Sequence, residues 1–484
     1  MSLLDTLLND GVVLDSMTAD SRKVAGGSLF LAYPGEKSDG RDFIAQAIAQ
    51  GAAAVIWEQQ GYAWNPQWDL PNLSVNDLKR QAGYIADGFY SRPSSHLWMI
   101  GVTGTNGKTS CSHWLAQAFD AVGRKSAVVG TLGNGFVNIS QHALSTAINT
   151  TPDPIILHGM LADYLSRGAK TVAMEVSSHG LEQGRVNGVH FDVAVFTNLT
   201  RDHLDYHGDM ASYAAAKRKL FDWDGLSCAV LNIDDAFGGQ LAQELKEQGQ
   251  DVLTYGLDAG EVNGRALRFS AQGMTMHVTT PYGDAEVSAP VFGRFNAYNL
   301  LAVLASLLAS DVPLADAVAA LAGLKPVPGR MQTYGGNKTP LVVVDYAHTP
   351  DALENVLASL KEQHPARLVC VFGCGGDRDA GKRPLMGEVA ARLADFTIVT
   401  SDNPRSEQAA VIIEAITAGI DDPAKYTVEA DRASAIRQAI ALAQPQDIVM
   451  VAGKGHEDYQ EINGVKTPFS DGQVVQQALQ EYAA

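Results

Sequence analysis

Short apolar runs alternate with amphipathic stretches along most of this chain. Apolar runs bounded by turn residues are typical of buried parallel strands, and the segments between them carry apolar residues at helical spacing. Examples are the strands that we predict at 171–176, 193–197 and 229–232. This alternation predicts βαβ units around parallel sheets, and therefore an α/β fold. Residues 263–290 differ, because polar and apolar positions alternate there around glycine turns, so we expect an antiparallel ribbon appended to the sheet.

Turn-rich breaks divide this pattern into three parts. The sequence SRPSS at 91–95 precedes a new apolar strand, and KPVPGR at 325–330 separates two series of strands and helices. We therefore predict a small α/β N-terminal domain over 1–92. A central domain with a parallel sheet should cover 93–327, and a C-terminal domain with a Rossmann-like open sheet should cover 328–484.

Length and charge agree with this division. A chain of 484 residues corresponds to about three domains. Its 36 Lys and Arg against 54 Asp and Glu give a net charge of −18, which argues against nucleic acid or anionic membrane as partner. No apolar stretch has membrane-spanning length, and the first residues lack a basic region ahead of their apolar positions. We expect a cytoplasmic monomer that acts on small molecules, and free thiols at the four cysteines.

The most specific local signal is GTNGKT at 104–109, between an apolar strand and a helical stretch at 112–122. Backbone N–H groups at a helix N-terminus bind phosphate, a lysine reaches the β- and γ-phosphates, and a hydroxyl binds Mg²⁺. The loop is a variant of the usual pattern, because Val102 stands where a glycine is expected. We predict a site for nucleotide phosphates, with a glycine-rich turn without ligand as the alternative.

Two further strands are followed by groups that suit a metal ion. Glu175 ends the run TVAME, and His203 lies a few residues after VAVFTN. Because parallel strands deliver such groups to one edge, a carboxylate and an imidazole could hold a Mg²⁺ that phosphate oxygens complete. The alternatives are a buried, ion-paired Glu175 and a structural His203.

Two helical segments allow two interpretations each. Lys217 in YAAAKRKL fits a helix with a solvated basic face when it is read without its context. In GRFNAYN, Asn296 fits a helix cap, whereas amides three residues apart at Asn296 and Asn299 could bind an adenine edge.

The predicted C-terminal domain carries charged loops after three strands. They contain Arg378, the pair Asn403 and Arg405, and Glu457. Two guanidiniums, an amide and a carboxylate together suit a zwitterionic ligand, since arginine binds carboxylates in a bidentate manner and glutamate binds an ammonium. Salt bridges between the loops are the alternative.

Taken together, these motifs resemble the Mur ligase family of ATP-dependent peptidoglycan amide ligases. The resemblance rests on GTNGKT, EVSSHGL, TNLTRDHLDYHG, GRFNAYN, DYAHTPDALE, GCGGDRDAGKRPLM, DNPR and GKGHE, in that order, and more loosely on DSR and GEKSDGR near the N-terminus. It implies a UDP-sugar-binding domain over 1–92, a central P-loop ATPase domain that binds ATP over 93–327 and an amino-acid-binding domain over 328–484. It also implies a role in peptidoglycan synthesis, and with it in cell shape and division. The implied reaction joins an amino acid to the D-glutamate γ-carboxylate of a UDP-muramoyl dipeptide through an acyl phosphate. Arg405 in DNPR implies diaminopimelate, whose second carboxylate lysine lacks.

The resemblance also implies roles for individual residues. Lys108, Glu175, His203 and Lys217 are implied to be catalytic. ATP is implied to bind Gly104, Thr105, Asn106, Gly107, Lys108, Thr109, Ser110, Asn296, Asn299, Arg330, Asp345 and His348. The UDP-muramoyl dipeptide is implied to bind Ser21, Glu36, Lys37, Ser38, Asn149, Thr150, Thr151, Ser177, Gln183 and Arg185. Diaminopimelate is implied to bind Arg378, Asp402, Asn403, Pro404, Arg405, Gly453 and Glu457.

Mg²⁺ is implied to bind Thr109, Glu175, His203 and Lys217, the last as a carbamate derived from CO₂. The carbamate turns a cation that would repel the metal into an anionic ligand. Two other classes of protein remain open: a folylpolyglutamate synthase, which would need neither DNPR nor a uridine domain, and a P-loop binding module without catalysis.

Overall fold

A computed structural model gives the fold of this chain. It describes residues 3–9, 11–35, 38–137, 144–145, 149–270, 273–363 and 367–483. Glu36 and Lys37 lie outside the described residues, so their expected part in substrate binding stays a prediction. Among the residues described, no helix is both long enough and apolar enough to cross a membrane.

The chain separates into two compact units. The first consists of Met1–Thr103, Gly123–Ala194 and Ala216–Ser227, and the second of Gly104–Val122, Val195–Ala215 and Cys228–Ala484.

Helices and strands alternate in both units. The helices are α1 Leu3–Asn9, α2 Ile44–Ala49, α3 Leu78–Phe89, α4 Lys108–Ala121, α5 Pro154–Ser166, α6 Ser178–Glu182, α7 Leu204–His207, α8 Met210–Arg218, α9 Ala236–Glu247, α10 Arg294–Leu308, α11 Leu314–Ala322, α12 Pro350–Gln363, α13 Lys382–Leu393, α14 Ala409–Thr417, α15 Arg432–Leu442 and α16 Asp471–Ala483.

The strands follow the same order. They are β1 Ser16–Thr18, β2 Ser28–Ala32, β3 Ala52–Glu58, β4 Asn72–Val75, β5 Trp98–Thr103, β6 Ser126–Gly130, β7 Gly133–Phe136, β8 Thr171–Glu175, β9 Val193–Phe196, β10 Cys228–Asn232, β11 Val252–Gly256, β12 Val262–Ser270, β13 Gly273–Thr280, β14 Gly283–Ala289, β15 Gln332–Gly335, β16 Leu341–Asp345, β17 Leu368–Phe372, β18 Phe396–Val399, β19 Tyr426–Val428, β20 Ile448–Ala452, β21 Tyr459–Ile462 and β22 Val465–Pro468.

The first unit contains two groups of mainly parallel strands. Strands β1 to β4 pair in chain order, all parallel. In the other group β8 pairs in parallel with both β5 and β6, and β7 adds an antiparallel edge to β6. Strands β2, β3, β5, β6 and β8 are buried along nearly their whole length, which explains why they appear in the sequence as mainly apolar runs rather than alternating ones.

The second unit contains the predicted ribbon. Strand β12 pairs in parallel with β11, and then β12, β13 and β14 pair antiparallel. The expected antiparallel ribbon at 263–290 is therefore confirmed in its described residues. One side of β13 and β14 is buried and the other exposed, as the alternating sequence indicated.

A six-stranded sheet in the second unit has the order β15-β16-β20-β17-β18-β19. Its strands are parallel except for the edge strand β15. Apolar side chains of α12, α13 and α14 cover one face, and those of α15 and α16 cover the other. Strands β20, β17 and β18 are neighbours, so the three charged loops predicted to meet do follow adjacent parallel strands.

Helix α4 begins earlier than its apolar pattern predicted. It starts at Lys108, immediately after the phosphate-loop sequence, and not near residue 112. Gly107 has φ +89°, a left-handed conformation that glycine adopts without strain, and this lets the chain turn directly from the loop into the helix.

A buried ion pair joins the two helices on one face of the six-stranded sheet. Arg432, at the start of α15, is 1% exposed, and its Nε and Nη2 donate to the two carboxylate oxygens of Asp471 at 2.8 and 2.7 Å. Nη2 also donates to the carbonyl of Ala452 at 2.9 Å, and Nη1 donates to that of Ser401 at 3.5 Å. One guanidinium thus connects the ends of β20 and β18 to helix α16.

We expect Arg432→Met to destabilise the second unit by about 3–5 kcal/mol, because it leaves Asp471 buried without its cation. Arg432→Met/Asp471→Leu should be less destabilised than the single variant, since no charge is then left unpaired. Calorimetry measures both. Arg437→Met, an exposed change on the same helix, is the control and should unfold like the wild type. Equal melting temperatures for Arg432→Met and Arg437→Met would contradict this role of the pair.

Candidate active site

The GTNGKT segment forms a loop between β5 and α4. Gly104 and Gly107 have positive φ, and a side chain on Gly107 would overlap the amide oxygen of Asn299. The Nζ of Lys108 donates to the carbonyls of Gly104 and Thr105 at 2.7 and 2.8 Å. The lysine ammonium is thereby held over the loop, where a helix N-terminus binds phosphate.

The segment that follows β9 fixes this loop. Thr105 N donates to Asn198 O at 2.8 Å, and Asn106 N donates to Asn198 Oδ1 at 2.9 Å. The hydroxyl of Thr197 donates to Asn106 O at 2.6 Å, while Asn106 Nδ2 donates to Asp351 at 2.9 Å. The loop conformation is therefore determined by the protein alone, which reduces the cost of ordering it around a ligand.

Other residues predicted to bind ATP lie together near the start of α4. Arg330 Nη2 donates to the hydroxyl of Thr109 at 3.0 Å, and the guanidinium lies 4.5 Å from the centre of the Tyr346 ring. Asp345 is buried and accepts from Met331 N at 2.7 Å. Burial raises the pKa of Asp345, although the charge of Arg330 opposes this. His348 is held through Nδ1, 2.8 Å from the carbonyl of Tyr346.

Asp202 is a site residue that sequence reasoning did not single out. One carboxylate oxygen lies 3.4 Å from His203 Nε2 and 3.7 Å from His348 Nε2, and the other lies 3.9 Å from Lys382 Nζ. Burial by itself raises the pKa of Asp202, but a hydrogen bond with His348 and the electrostatic effect of His203, His348 and Lys382 outweigh it and hold the pKa well below its usual value. The motif TRDHLD contained the signal, because Asp202 directly precedes the predicted His203.

Asn296 and Asn299 are buried in the first turns of α10. Asn299 Nδ2 donates to Asn296 Oδ1 at 3.0 Å, and Asn296 Nδ2 donates to Phe292 O at 2.7 Å. Helix α10 begins at Arg294 after the cap Gly293, so the alternative of Asn296 as the cap is wrong. Their binding of adenine stays a prediction.

In the first unit, Glu175 lies at the end of β8 next to the end of β6. Its carboxylate is buried and accepts from Thr131 N at 2.8 Å and from Thr131 Oγ1 at 3.2 Å. A side chain on Gly130 would overlap this carboxylate. The Thr131 hydroxyl is also 3.0 Å from that of Thr150, a residue predicted to bind the dipeptide.

Several residues predicted to bind the muramoyl dipeptide form one cluster beside Glu175. The hydroxyls of Thr151 and Ser177 lie 3.0 Å apart, and Thr151 Oγ1 donates to Glu175 O at 2.9 Å. Arg185 donates to Thr151 O at 3.0 Å and to Gln183 Oε1 at 2.8 Å.

The remaining predicted dipeptide contacts lie apart from these bonds. Asn149 is exposed, two residues before Thr151. Ser21 is buried and its hydroxyl donates to Gln46 Oε1 at 3.4 Å. Ser38 is exposed, and its carbonyl accepts from Gly35 N at 2.9 Å. None of these contacts tests the predicted binding of uridine.

Lys217 lies near the end of α8 and is 1% exposed. The alternative of a solvated basic face is therefore wrong for this residue. Lys219, two positions later, is the exposed lysine of the run and pairs with Glu182 at 2.7 Å. Burial distinguishes the two lysines, which the sequence alone could not do.

Hydrogen bonds join the loops after β17, β18 and β20, and we call the surface between these loops the crevice. Arg405 Nη1 donates to Gly376 O at 2.6 Å, Gly376 N donates to Asn403 O at 2.9 Å, and Asn403 Nδ2 donates to Glu457 Oε2 at 2.8 Å. Buried Pro404 packs so closely that a side chain on Gly376 would overlap its carbonyl. Arg378 is exposed on the first of the three loops.

Two further residues predicted for the amino acid, Gly453 and Asp402, lie close to each other beside these loops. Gly453 has φ +114°, and a side chain there would come within 2.6 Å of the Asp402 carboxylate. Asp402 Oδ1 accepts from Asn403 N at 2.6 Å. The crevice therefore brings together the residues predicted for the amino acid.

Lys454 is a second residue that the sequence reading missed. It is 0% exposed, and its Nζ donates to Asn403 Oδ1 at 3.1 Å and to Glu457 Oε2 at 2.9 Å. The Lys454–Glu457 pair lies within one loop, so among the described residues predicted for the amino acid the alternative of salt bridges between loops is met only by Arg405, whose Nε lies 3.9 Å from Glu461. GKGHE contained the signal, although a lysine in a glycine-rich loop usually lies in solvent.

The described residues contain no group of three or more His, Cys, Asp or Glu side chains able to hold a metal ion by themselves. The residues predicted as metal ligands are divided between the units, with Glu175 and Lys217 in the first and Thr109 and His203 in the second.

A loop with a phosphate-binding sequence after a parallel strand, together with an open sheet whose loops carry charged residues, is typical of nucleotide-dependent enzymes. Three family models match the chain: "Mur ligase family, catalytic domain" over 14–90, "Mur ligase middle domain" over 102–307 and "Mur ligase, glutamate ligase domain" over 329–455. The chain belongs to the Mur ligase family.

Relatives within the family are similar over nearly the whole chain. A protein of Chromobacterium violaceum named UDP-N-acetylmuramoyl-L-alanyl-D-glutamate--2,6-diaminopimelate ligase is 54% identical over 472 residues, 97% of this chain and 95% of the relative. A solved structure with the same enzyme name is 39% identical, with a TM-score of 0.69 and coverage of 97% of this chain and 96% of that one. The expected fold class of three α/β domains with parallel sheets is confirmed.

The solved structures that resemble this chain also include a folylpolyglutamate synthase, one of the two alternative classes that the sequence left open. Folylpolyglutamate synthase of Mycobacterium tuberculosis is 19% identical, with a TM-score of 0.62, and covers 77% of this chain and 92% of its own. At that identity the likeness concerns the fold alone. It leaves about a quarter of this chain unmatched, whereas the diaminopimelate ligase structure matches nearly all of it.

Proposed function

We propose that this chain catalyses the ATP-dependent addition of meso-2,6-diaminopimelate to UDP-N-acetylmuramoyl-L-alanyl-D-glutamate. The observation that carries the proposal is the 54% identity, over nearly the whole chain, to a ligase named for that reaction. The new amide joins the amino acid to the D-glutamate γ-carboxylate. The products are the UDP-muramoyl tripeptide of peptidoglycan synthesis, ADP and phosphate.

The reaction needs ATP because a carboxylate is a poor electrophile. Transfer of the γ-phosphoryl group to a carboxylate oxygen forms an acyl phosphate and releases ADP. The amine then attacks the carbonyl carbon, the bond to the phosphate oxygen breaks, and the amine gives up a proton. Phosphoryl transfer depends mainly on positioning and charge stabilisation, which the fixed loop at 104–107 and the ammonium of Lys108 supply.

We propose that Mg²⁺ accompanies the nucleotide and that Thr109, Glu175 and His203 are among its ligands. Bound there, it would neutralise phosphate charge during the transfer. Asp202 orients the imidazole of His203 from 3.4 Å, and Arg330 holds the hydroxyl of Thr109 at 3.0 Å. These contacts support the assignment, since residues that bind a metal are themselves held by hydrogen bonds.

We also propose that Lys217 carries a carbamate. Its burial supports this, because a buried ammonium is costly near a metal ion, whereas a carbamate is an anionic oxygen ligand. Carbamate formation begins with loss of a proton from the ammonium; the neutral amine nitrogen then bonds to the carbon of CO₂ and releases a second proton.

The choice of amino acid depends on Arg405 in this proposal. Its Nη1 is held by Gly376 O, so the planar guanidinium has a defined orientation in the crevice. A fork of this kind matches the distal carboxylate of diaminopimelate, which lysine lacks. Arg378 lies in the same crevice, and Glu457 would face the distal ammonium. We further propose that the enzyme acts as a monomer in the cytoplasm, where ATP is available.

The proposed reaction is tested by ADP release from the purified chain. Turnover should require ATP, the UDP-muramoyl dipeptide and meso-diaminopimelate together, and L-lysine, L-ornithine or D-glutamate should replace the last poorly. ATP turnover that needs no amino acid, or that prefers L-lysine, would reject the proposal. A total absence of turnover would favour a binding module without catalysis.

Arg405→Ala should lower kcat/KM for diaminopimelate about 30- to 5000-fold, because removing one partner of a desolvated charge pair costs on the order of 2–5 kcal/mol. The KM values for ATP and for the UDP-muramoyl dipeptide should change little. Steady-state kinetics with each substrate varied in turn measures this. Arg437→Ala, an exposed change elsewhere in the second unit, is the control. Similar losses for all three substrates would mean that Arg405 supports the fold.

Lys217→Ala should be nearly inactive, and added acetate or bicarbonate should restore part of the activity by replacing the lost anion. Lys217→Arg, which keeps a positive charge but cannot form the carbamate, should also be inactive. Lys219→Ala, which changes the exposed neighbour, is the matched control and should stay active. Wild-type turnover by Lys217→Arg would exclude the carbamate.

A further inference from the structure

The Lys454 side chain lies completely inside the second unit although it belongs to a glycine-rich loop. Taking an ammonium out of water is costly, and the cost is offset only where the cation has well-placed acceptors. Its acceptors here are Asn403 Oδ1 at 3.1 Å and Glu457 Oε2 at 2.9 Å. Both acceptors belong to the crevice that we assign to the amino acid.

The first consequence concerns the amide of Asn403. Its oxygen accepts from Lys454 Nζ and from Glu461 N at 2.9 Å, while its nitrogen donates to Glu457 at 2.8 Å. Turning the amide over would place its NH₂ group against an ammonium and a backbone N–H, so donors would face donors. The lysine therefore makes one orientation of Asn403 strongly preferred.

The second consequence concerns the carboxylate of Glu457. Lys454 and Asn403 both donate to the same oxygen, Oε2. No described residue donates to Oε1, so that oxygen keeps its lone pairs for a ligand. The carboxylate thus has one oxygen held by two donors of the protein and one to which no described residue donates.

We propose that Lys454 is a positioning residue of the amino-acid site, which orients Glu457 to receive the ligand's ammonium and Asn403 to donate beside it. Lys454 does not touch the ligand in this role, because its ammonium is used inside the protein. The inference rests on the proposed function for the assignment of the crevice, and goes beyond it by naming the group that shapes the site.

A second lysine provides a matched control. Lys466 Nζ lies 4.0 Å from the centre of the Tyr459 ring, and Lys454 Nζ lies 5.5 Å from the centre of the same ring. Lys466 is exposed and belongs to β22. Lys466→Met therefore removes a lysine from the same aromatic ring without changing Asn403 or Glu457.

The test is steady-state kinetics on Lys454→Met, which keeps most of the side-chain volume and removes the ammonium. The KM for whichever amino acid the wild type uses should rise at least about tenfold, because Glu457 and Asn403 lose their orientation. The KM values for ATP and the UDP-muramoyl dipeptide should stay within about twofold, and Lys466→Met should match the wild type. An unchanged amino-acid KM, or an equal rise in all three KM values, would overturn the inference.

A double-variant cycle separates positioning from simple packing. Glu457→Gln should also raise the amino-acid KM, and Lys454→Met/Glu457→Gln should be little worse than the poorer single variant, since both changes remove the same arrangement. Fully additive losses would overturn the inference. Should Lys454→Met fail to fold, Lys454→Gln takes its place with the same expected rise and the same contrary outcomes.

Failure of the proposed function gives a different result. If the wild type prefers an amino acid other than diaminopimelate, the proposed substrate is wrong, and the comparison of Lys454→Met with Lys466→Met is made with the preferred one. If the wild type uses diaminopimelate but Lys454→Met binds it normally, only the role of Lys454 is rejected.

Discussion

Parallel pairing is the constraint on which the arrangement of the amino-acid crevice depends. Strands that run in the same direction end at the same edge of a sheet, so the loops after them must lie side by side. In the six-stranded sheet β20, β17 and β18 are neighbours, and their loops carry Glu457, Arg378 and Arg405. Residues up to about 80 positions apart in sequence therefore lie in one crevice, and the direction of their strands is enough to bring them together.

That constraint also explains how much the sequence could predict. The apolar runs identified the main strands and their positions along the chain. The residue types at or soon after the strand ends identified Glu175, His203 and Arg405 as candidate site residues. These conclusions need only the direction of a strand and the chemistry of the next residues. The short edge strand β19 and the hairpin of β21 and β22 were not predicted, because they bury little and leave no continuous apolar run.

The residues that sequence reasoning missed have a common physical origin. Asp202 and Lys454 are charged residues whose importance comes from burial, and burial is a property of the surrounding fold. A lysine at position 217 and one at position 219 have the same chemistry in the sequence, yet only the first is buried. Residue type indicates what a side chain can do, but the packing around it decides which of its atoms are already used.

Pairing of buried charges directly affects the binding free energy that a ligand can obtain from the same side chains. Arg432 makes four hydrogen bonds, to Asp471 and to the carbonyls of Ser401 and Ala452, and thereby holds the ends of β18 and β20. Lys454 is used in the same way, whereas Arg405 has its Nη1 held by a loop carbonyl and its Nε 3.9 Å from Glu461. In the proposed site, a ligand carboxylate would meet a guanidinium whose orientation the loop already restricts, so little side-chain entropy would be lost on binding. Affinity is the interaction free energy left after such costs. On this proposal the buried cations contribute to recognition by holding their neighbours in place, and the partly exposed arginine contributes by contact.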